Sequence, residues 1–391
     1  MKLKVLSVFG TRPEAIKMCP LVRKLETCEE IESVVCVTGQ HRQMLDQVLE
    51  IFHITPDYDL NLMKERQTLT TITVSVLTEL EKILQKVEPD LVLVHGDTTT
   101  SSAAALAAFY QQIPVGHVEA GLRTYDIYSP FPEEMNRKII SQIAELFFAP
   151  TERNKKNLAK ENIHKNVYVT GNTVIDAFQY TVRKDYKYKN ETLRGLSFDG
   201  KRYILMTAHR RENLGAPLAN ICRSVLRIVQ TNPDVEVIYP VHLNPAVRET
   251  VFQIMGSEPH IHLIDPIDVE DMHNIMSQSY LVMTDSGGLQ EEGPHFGIPV
   301  IVLRTETERP EAVDAGTVVV AGTEEENIYR IVNELLNNKE RYDQMAHAVN
   351  PYGDGKASER IVREILNWNA GHVKNNPKGY HHDKRSQNSS F

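Results

Sequence analysis

Short apolar runs alternate along the chain with segments in which apolar residues recur at helical spacing. One such segment places Val76, Leu80 and Leu84 on one helical face, and residues 91–95 then form a fully apolar strand, as expected at the centre of a parallel sheet. Strand, turn and helix repeat in this order through most of the chain, which predicts an α/β fold with parallel sheets. The other predicted strands cover residues 2–9, 34–38, 114–118, 146–150, 167–171, 203–207, 235–240, 261–264, 281–284, 300–303 and 318–320.

This rhythm runs twice, and a chain of 391 residues is long enough for two domains that each bury a core. Residues 184–201 are charged and aperiodic, so the crossing between the domains is expected there or slightly before. We predict a Rossmann-like domain over residues 1–172 and a Rossmann-like nucleotide-binding domain over residues 173–356. A helix over residues 357–370 is expected to pack back on the first domain, and the polar residues 371–391 are expected to be disordered.

Charge and composition narrow the possible functions. The net charge of −9 argues against nucleic acid or an anionic membrane as a partner, because both need a basic surface. No apolar run reaches the roughly 18 residues of a membrane span, and the N-terminus shows no signal-peptide pattern. The four cysteines lack metal-ligand spacing, so we expect a cytoplasmic protein without a bound metal or a disulfide.

A glycine turn in the second domain has features of a phosphate site. Ser286 is a candidate helix N-cap, and Gly287 and Gly288 would let backbone N–H groups point out of the helix towards an anion. The glycines alone are also typical of an ordinary strand–helix turn. The pair Glu291 and Glu292 would repel a bare phosphate unless one carboxylate is occupied elsewhere, for instance by ribose hydroxyls. Diphosphate beside ribose describes a nucleotide-sugar.

Four polar residues of the first domain follow predicted strands and are expected at one edge of the sheet, where open α/β sheets bind ligands. They are Arg12, Lys17, Asp97 and Glu119. Each alone has an ordinary interpretation, a solvated pair for the two cations and a helix cap for the aspartate. Their convergence on one edge favours a site.

The segment 129–137 begins a helix with proline and two acids. Pairs at i,i+4, Glu133 with Arg137 and Glu134 with Lys138, would account for these residue types in a well-capped helix. They do not account for a phenylalanine between two prolines just before it, which indicates a shaped loop.

Two histidines follow strands of the second domain. His209 and His242 would each be structural if considered alone. Because Arg210 and Arg211 follow His209, the two histidines together more plausibly face an anionic ligand.

Seven motifs, in the right order, resemble those of the bacterial non-hydrolysing UDP-N-acetylglucosamine 2-epimerases, and the resemblance extends from about residue 2 to 368. It implies a glycosyltransferase-B-like architecture, two doubly wound Rossmann-like domains facing a central cleft, and a homodimer. The motifs are GTRPEAIK at 10–17, HGDTT at 95–99, GHVEAGLR at 116–123, HRREN at 209–213, DSGGLQEE at 285–292, TERPE at 307–311 and NPYGDG at 350–355.

By this resemblance the enzyme interconverts UDP-GlcNAc and UDP-ManNAc, eliminating UDP to give a 2-acetamidoglucal and adding UDP back with the opposite C2 configuration. The product would supply ManNAc units for a cell-surface polysaccharide. The reaction needs no cofactor and no metal. Cations and backbone donors must face the leaving diphosphate, and acid/base groups must serve both faces of C2.

The resemblance also implies roles for single residues, although it does not say which carboxylate is acid and which is base. The residues that match catalytic positions are Asp97, Glu119, Glu133, His209 and Lys17. Those that match substrate-binding positions are Arg12, Lys17, Arg137, His209, Ser286, Gly287, Gly288 and Glu292, the last for the ribose. Those that match the site of a second, activating UDP-GlcNAc are Gln43, Arg66, Gln67, Arg210 and His242.

Two segments depart from the family pattern. Residues 293–297 include Gly293 and the bulky His295 and Phe296 where small residues are common, and residues 304–307 replace a more usual Arg-Asp-Thr-Thr. Both adjoin the nucleotide end, so they bear on nucleotide affinity more than on the chemistry, and the sequence does not tell whether they change that affinity. Three rival functions share the pattern in part: a hydrolysing epimerase that releases ManNAc and UDP, a glycosyltransferase that needs an acceptor, and a nucleotide-sugar-binding regulator.

Overall fold

The computed structural model describes residues 2–39, 42–62 and 67–375. The chain divides into two compact units. Unit one holds the described residues up to Thr173 and from Lys356 onward, and unit two is Val174–Gly355. The crossing therefore lies ahead of the charged segment 184–201, which belongs to unit two.

Unit one is built on a seven-stranded parallel sheet in the order β3-β2-β1-β4-β5-β6-β7. The short strand β3 is absent from the sequence-based prediction. The strands are β1 (Leu3–Phe9), β2 (Ile31–Val37), β3 (Tyr58–Asp59), β4 (Leu91–His95), β5 (Val115–Val118), β6 (Leu146–Ala149) and β7 (Val167–Val169). The helices between them are α1 (Arg12–Glu26), α2 (Arg42–Ile51), α3 (Leu69–Val87), α4 (Thr99–Tyr110), α5 (Glu133–Ile143) and α6 (Glu152–Lys160).

Close packing on this sheet follows from small side chains. Helix α4 is buried along most of its length, and its alanines pack with residues of α3 and the sheet in one apolar core. On β5, a Cβ added at Gly116 would lie 2.6 Å from Leu93 Cδ2, so a side chain there would have to displace Leu93 on the neighbouring strand.

Unit two repeats the design with a six-stranded parallel sheet in the order β10-β9-β8-β11-β12-β13. Two parallel doubly wound sheets confirm the predicted α/β fold class. The strands are β8 (Arg202–Thr207), β9 (Val235–Pro240), β10 (Ile261–Ile264), β11 (Leu281–Thr284), β12 (Val300–Val302) and β13 (Val318–Val320). The α-helices are α7 (Thr173–Thr181), α8 (Glu191–Arg194), α9 (Ala216–Thr231), α10 (Pro245–Met255), α11 (Val269–Ser277), α12 (Gly287–Glu292), α13 (Pro310–Asp314), α14 (Glu325–Asn337) and α15 (Lys339–Ala346).

The charged segment 184–201 docks on α11 because the buried carboxylate of Asp271 collects donors from it. Asp271 accepts from the Tyr186 hydroxyl at 2.8 Å and from the backbone N–H groups of Lys189 and Asn190 at 2.9 Å each. This is why a segment without apolar periodicity is ordered within unit two.

The last helix, α16 (Ala357–Asn375), belongs to unit one. Trp368 Nε1 donates to Glu145 Oε1 at 2.9 Å, and Arg360 Nη1 donates to the carbonyl of Thr170 at 3.1 Å. The helix runs five residues beyond its predicted end at 370, which corrects the predicted start of the disordered tail. The rest of that tail, 376–391, lies outside the described residues.

Strand order locates the ligand edge of each sheet. In both units the chain moves outward in one direction from a central strand and then resumes on its other side, so the order reverses between β1 and β4 and between β8 and β11. Open α/β sheets bind ligands outside the carboxyl ends of the strands at such a point. Over the described ranges, no helix is long and apolar enough to cross a membrane.

Candidate active site

In unit one, the buried carboxylate of Glu14 joins the loops that follow β1 and β4. Its Oε2 accepts from the N–H groups of Gly10 at 3.1 Å and Thr11 at 2.8 Å. Its Oε1 accepts from the hydroxyls of Thr98 at 2.7 Å and Ser101 at 2.9 Å. The capping box of Thr11 and Glu14 starts α1 at residue 12. The Thr11–Glu14 spacing was visible in the sequence, but the bonds from Glu14 to Thr98 and Ser101 after β4 were not.

Lys17 and Glu119 form a direct ion pair at this edge, so the structure brings together two residues predicted at separate strand ends. Glu119 Oε2 also accepts from Asn172 Nδ2 at 2.9 Å and lies 3.6 Å from His95 Nε2. The Glu119 backbone has φ of +64°, the left-handed region that few residues other than glycine adopt. Such strain is typical of functional sites.

The Glu119 environment fixes its protonation state. Burial by itself would raise the pKa of the carboxyl, but the charge of Lys17 and the nearby His95 more than offset this and hold that pKa well below its usual range. The group is therefore a carboxylate at neutral pH, the form that can accept a proton.

Asp97 at the end of β4 is held by Arg137 of α5. Its Oδ2 accepts from Arg137 Nε at 2.9 Å and Nη2 at 2.6 Å, and its carbonyl accepts from Asn136 Nδ2 at 2.8 Å. Arg137 Nη1 also donates to Glu134 Oε2 at 3.0 Å, so its partners are Glu134 and Asp97 rather than Glu133. Although burial would lower it, these two carboxylates hold the Arg137 pKa above its usual value.

Glu133 and Arg12 complete the predicted set in unit one. Glu133 is half-buried at the first position of α5, and within the described part of the chain its Oε2 is buried without a hydrogen-bond partner. Buried polar atoms are usually hydrogen-bonded, so this oxygen is available to accept a hydrogen bond from a bound group or from water. Arg12 is exposed at the first position of α1.

In unit two, a fully buried aspartate, Asp285, organises the loops after β8 and β11. Its Oδ2 accepts from the N–H groups of His209 and Arg210 at 2.8 Å each and from Asn213 Nδ2 at 3.0 Å. Its Oδ1 lies 3.6 Å from His209 Nδ1. Sequence analysis placed Asp285 in a motif but assigned it no role, because its partners lie more than seventy residues away.

The imidazoles of His209 and His242 stack, with ring centroids 5.2 Å apart and planes 7° from parallel. Burial lowers the pKa of His209 despite the opposing charge of Asp285. His209 is therefore neutral at pH 7, and one of its ring nitrogens can donate a hydrogen bond. Its partner His242 is exposed and accepts from the N–H of Asn244 at 3.1 Å.

The glycine turn begins α12 at Gly287 with Ser286 at the N-cap, as predicted. However, the Ser286 side chain makes no capping hydrogen bond, which corrects the predicted reason for serine there. A Cβ added at Gly288 would lie 3.1 Å from Glu292 Oε1, so the turn approaches that carboxylate closely.

The two acids that follow the turn have different partners. Glu291 is buried and forms an ion pair with Arg309 of the loop after β12, so its charge is neutralised inside the protein. Glu292 Oε2 lies 3.6 Å from Nε2 of His273, a residue whose burial lowers its pKa to about 3. The expectation that one of the two carboxylates is occupied elsewhere is met by Arg309.

The bulky residues of the 293–297 segment pack inside unit two. The His295 ring stacks on Phe178 of α7 at 5.0 Å and 22°, and Phe296 contacts the same ring at 4.6 Å. Glycine at position 293 is explained by a different contact, because a Cβ there would lie 2.6 Å from Val300 Cγ2. This departure from the family pattern is thus explained by packing against α7 and β12.

The second departure, residues 304–307, tightens the loop after β12. Arg304 Nε lies 2.9 Å from Glu212 Oε1, and Thr307 Oγ1 donates to Gln290 Oε1 in α12. The loop is thereby tied to the glycine turn.

The structure describes the side chains of three of the five predicted effector residues, Gln67, Arg210 and His242. In unit two, Arg210 Nε donates to the carbonyl of Asp285 at 3.3 Å beside the stacked histidines. In unit one, Gln67 Nε2 donates to the carbonyl of Leu62 at 2.7 Å. Arg66 and the side chain of Gln43 lie outside what the structure describes. In the described ranges no three side chains are grouped to hold a metal ion.

These observations define a class of protein: an α/β enzyme of two Rossmann-like units with carboxylate–cation pairs at one ligand edge and a glycine turn with histidines at the other. The solved glycotransferase of kitacinnamycin shares the fold with a TM-score of 0.63 at 12% identity, over 93% of this chain and 100% of its own.

The family model for UDP-N-acetylglucosamine 2-epimerase matches residues 23–366. A Thermotoga maritima relative is 62% identical over 364 residues, 93% of this chain and 96% of its own. The Bacillus subtilis UDP-N-acetylglucosamine 2-epimerase is 56% identical over 97% of this chain and 99% of its own. The Neisseria meningitidis UDP-GlcNAc 2-epimerase, solved with UDP-GlcNAc bound, is 49% identical with a TM-score of 0.86. The match covers 93% of this chain and 100% of that one. The chain belongs to the UDP-N-acetylglucosamine 2-epimerase family, whose members are isomerases, which confirms the resemblance seen in the motifs.

Proposed function

We propose that this protein reversibly epimerises UDP-GlcNAc at C2 to UDP-ManNAc by eliminating UDP and adding it back. The observation that carries the proposal is the set of carboxylates at the ligand edge of unit one. Asp97 and Glu119 are held by different cations, Arg137 and Lys17, and Glu133 keeps a buried oxygen without a protein partner in the described chain.

The proposed reaction balances without a cofactor. A carboxylate takes the proton from C2, the electrons of that bond form the C1–C2 double bond of a 2-acetamidoglucal, and the C1–O bond breaks as UDP leaves with its electron pair. Re-addition reverses these steps while an acid returns a proton to the opposite face of C2. Acid/base groups on both faces are required, and three carboxylates supply them.

The leaving diphosphate gains charge as the C1–O bond breaks, so its stabilisation belongs to the transition state. We propose that Arg12, neutral His209, the Ser286 hydroxyl and the backbone N–H groups of Gly287 and Gly288 hold it, because a helix N-terminus and a ring N–H both donate to phosphate oxygens. The Ser286 N–H itself is occupied, since it donates to Thr284 Oγ1 at 2.9 Å. Glu292 is proposed to bind the ribose hydroxyls, which is supported by Arg309 satisfying the other acid of the pair.

We further propose that a second UDP-GlcNAc activates the enzyme through Arg210, His242, Gln67, Arg66 and Gln43, that the protein is a homodimer, and that its product supplies ManNAc for a cell-surface polysaccharide. The stacking of His242 on His209 supports the first of these, because it joins a predicted effector residue to a predicted diphosphate ligand.

Deuterium incorporation tests the reaction. The protein is incubated with UDP-GlcNAc in D₂O, with a chelator and no acceptor. UDP-ManNAc carrying deuterium at C2 is expected, because solvent exchanges with the acid/base group before the proton returns, and the same equilibrium mixture should form from either sugar. The isosteric variant Asp97→Asn is the matched control and should incorporate deuterium about 10²-fold more slowly or worse.

The rival functions give different products. Free ManNAc with stoichiometric UDP would identify a hydrolysing epimerase. Conversion that starts only when an acceptor is added would identify a glycosyltransferase, and UDP-GlcNAc binding with no conversion would identify a regulator. UDP-ManNAc that retains protium at C2 would contradict elimination even though the product is right.

A further inference from the structure

Glu134 in the first turn of α5 is a fully buried carboxylate to which the proposed reaction gives no role. Its Oε2 accepts from Arg137 Nη1 at 3.0 Å and from the N–H of Thr124 at 3.0 Å. Its Oε1 accepts from the N–H of Tyr125 at 3.1 Å. A buried charge is tolerated when paired and hydrogen-bonded, and all these partners are donors.

Through these bonds Glu134 fixes the orientation of the Arg137 guanidinium. One edge of this planar group donates to Glu134, while Nε and Nη2 donate to Asp97 Oδ2 at 2.9 and 2.6 Å. A rigid fork held at one end cannot rotate away from the carboxylate at the other. The position of Asp97 is therefore set from the far side of the arginine.

Glu134 is itself held by a braced loop. Tyr125 has φ of +66°, and its hydroxyl donates to Asn157 Oδ1 at 2.8 Å, while Asn157 Nδ2 donates to the carbonyl of Gly121 at 3.0 Å. Helix α6, which carries Asn157, thus supports the loop whose N–H groups face Glu134. The chain of contacts runs from α6 through the loop, Glu134 and Arg137 to Asp97.

We infer that Glu134 is a positioning residue for the epimerisation: it acts through Arg137 to hold Asp97 in the geometry for acid/base work. The inference rests on the proposed function, because it presumes that Asp97 takes part in the chemistry.

The variant E134Q keeps the side-chain volume and removes the charge, so an amide NH₂ would face donors. The turnover number kcat for UDP-GlcNAc is expected to fall about 10- to 100-fold, since misplacing a reacting group by about 1 Å costs about 10²-fold. The Michaelis constant KM should change less than about threefold, because Glu134 makes no substrate contact in the proposal. The control E161Q breaks another ion pair of unit one, that of Arg123, and should keep kcat within about twofold of wild type.

Two further measurements separate positioning from a merely structural role. Adding E134Q to R137A should lower kcat by no more than about twofold, because the effect of Glu134 passes through Arg137. Guanidinium ion at low millimolar concentration should partly restore the kcat of R137A. In R137A/E134Q the increase in kcat should be at least about fivefold smaller, because Glu134 is one of the two carboxylates that would hold the ion. If E134Q does not fold, E134D keeps the charge, cannot span both partners, and should show the same loss of kcat.

Wild-type kcat in folded E134Q, additive losses in the double variant, or equal guanidinium rescue with and without Glu134 would each overturn the inference. These outcomes leave the proposed function intact if D97N is inactive. Wild-type turnover in D97N would instead overturn the proposed role of Asp97.

Discussion

Two buried histidines, one in each unit, are held neutral by their surroundings. Burial lowers the pKa of His117 in unit one and of His273 in unit two, each to about 3. His117 Nε2 lies 2.7 Å from the carbonyl of Gly96, and His273 Nδ1 lies 2.8 Å from the Thr181 hydroxyl. Both support loops or helices next to predicted site residues, so their neutrality is part of how the site is held.

This neutrality predicts a pH dependence of stability. The unfolded chain protonates each histidine near pH 6.5, whereas the folded chain does so only near pH 3. The unfolded state therefore binds more protons between these values. The free energy of unfolding should fall as pH falls from 6.5, by up to about 1.4 kcal/mol per pH unit for each histidine. Urea or thermal unfolding from pH 4.5 to 8 measures this.

The variants His117→Asn and His273→Gln should each flatten the slope below pH 6.5 in the unit that carries the change. Between pH 7.5 and 8 their slopes should match wild type, because neither state then protonates these histidines. Curves that stay parallel to wild type at every pH would contradict the assignment.

At the scale of elements, the glycine turn, α12 and the start of β12 form one packed corner of unit two. Gly293 has φ of −53°, so its backbone would accept alanine, and the obstacle to a side chain is Val300 Cγ2 at 2.6 Å from the added Cβ. Sequence analysis linked this glycine to nucleotide affinity, whereas its contacts are with the sheet.

Gly293→Ala is therefore expected to destabilise unit two by about 1–3 kcal/mol through overpacking. The measurement is the unfolding transition of unit two in denaturant. Gly195→Ala is the matched control, because Gly195 also has a helical φ of −85° and a Cβ there would meet nothing closer than 3.5 Å. Equal stability of both variants would show that β12 gives way without cost.

At the scale of the whole molecule, five residues are predicted to bind an activating UDP-GlcNAc: Gln43, Arg66, Gln67, Arg210 and His242. If a second UDP-GlcNAc activates the enzyme through them, the rate should rise sigmoidally with UDP-GlcNAc, and UDP-ManNAc alone should convert poorly until UDP-GlcNAc is added. Initial-rate kinetics in both directions measure this.

The variant His242→Ala should shift the activating concentration upward several-fold or abolish the sigmoid shape. Its neighbour Leu243, also exposed, provides the control Leu243→Ala, which should leave the curve unchanged. Hyperbolic kinetics in the wild type with an unassisted reverse reaction would rule out the activator.

The sequence by itself determined the fold class and which residues follow strands. Apolar runs and helical spacing are local patterns, and a parallel sheet sends every strand end to one edge, so Arg12, Asp97, Glu119 and His209 could be assigned to ligand edges without coordinates. The motif resemblance then added the family. The end of the last helix was less exact, because the docking of α16 on unit one depends on contacts beyond the helix.

Only the tertiary structure decided which charged side chains form ion pairs with each other. Lys17 forms an ion pair with Glu119, which is 102 residues away in the sequence. Arg137 donates to Asp97, which is 40 residues away. The carboxylates of Glu14, Glu134 and Asp285 support the site from inside the protein, yet in the sequence they look like ordinary acids near helix starts. The physical reason is that a buried carboxylate is defined by its donors, and these donors come from loops far apart in the chain that only the packed sheets bring together.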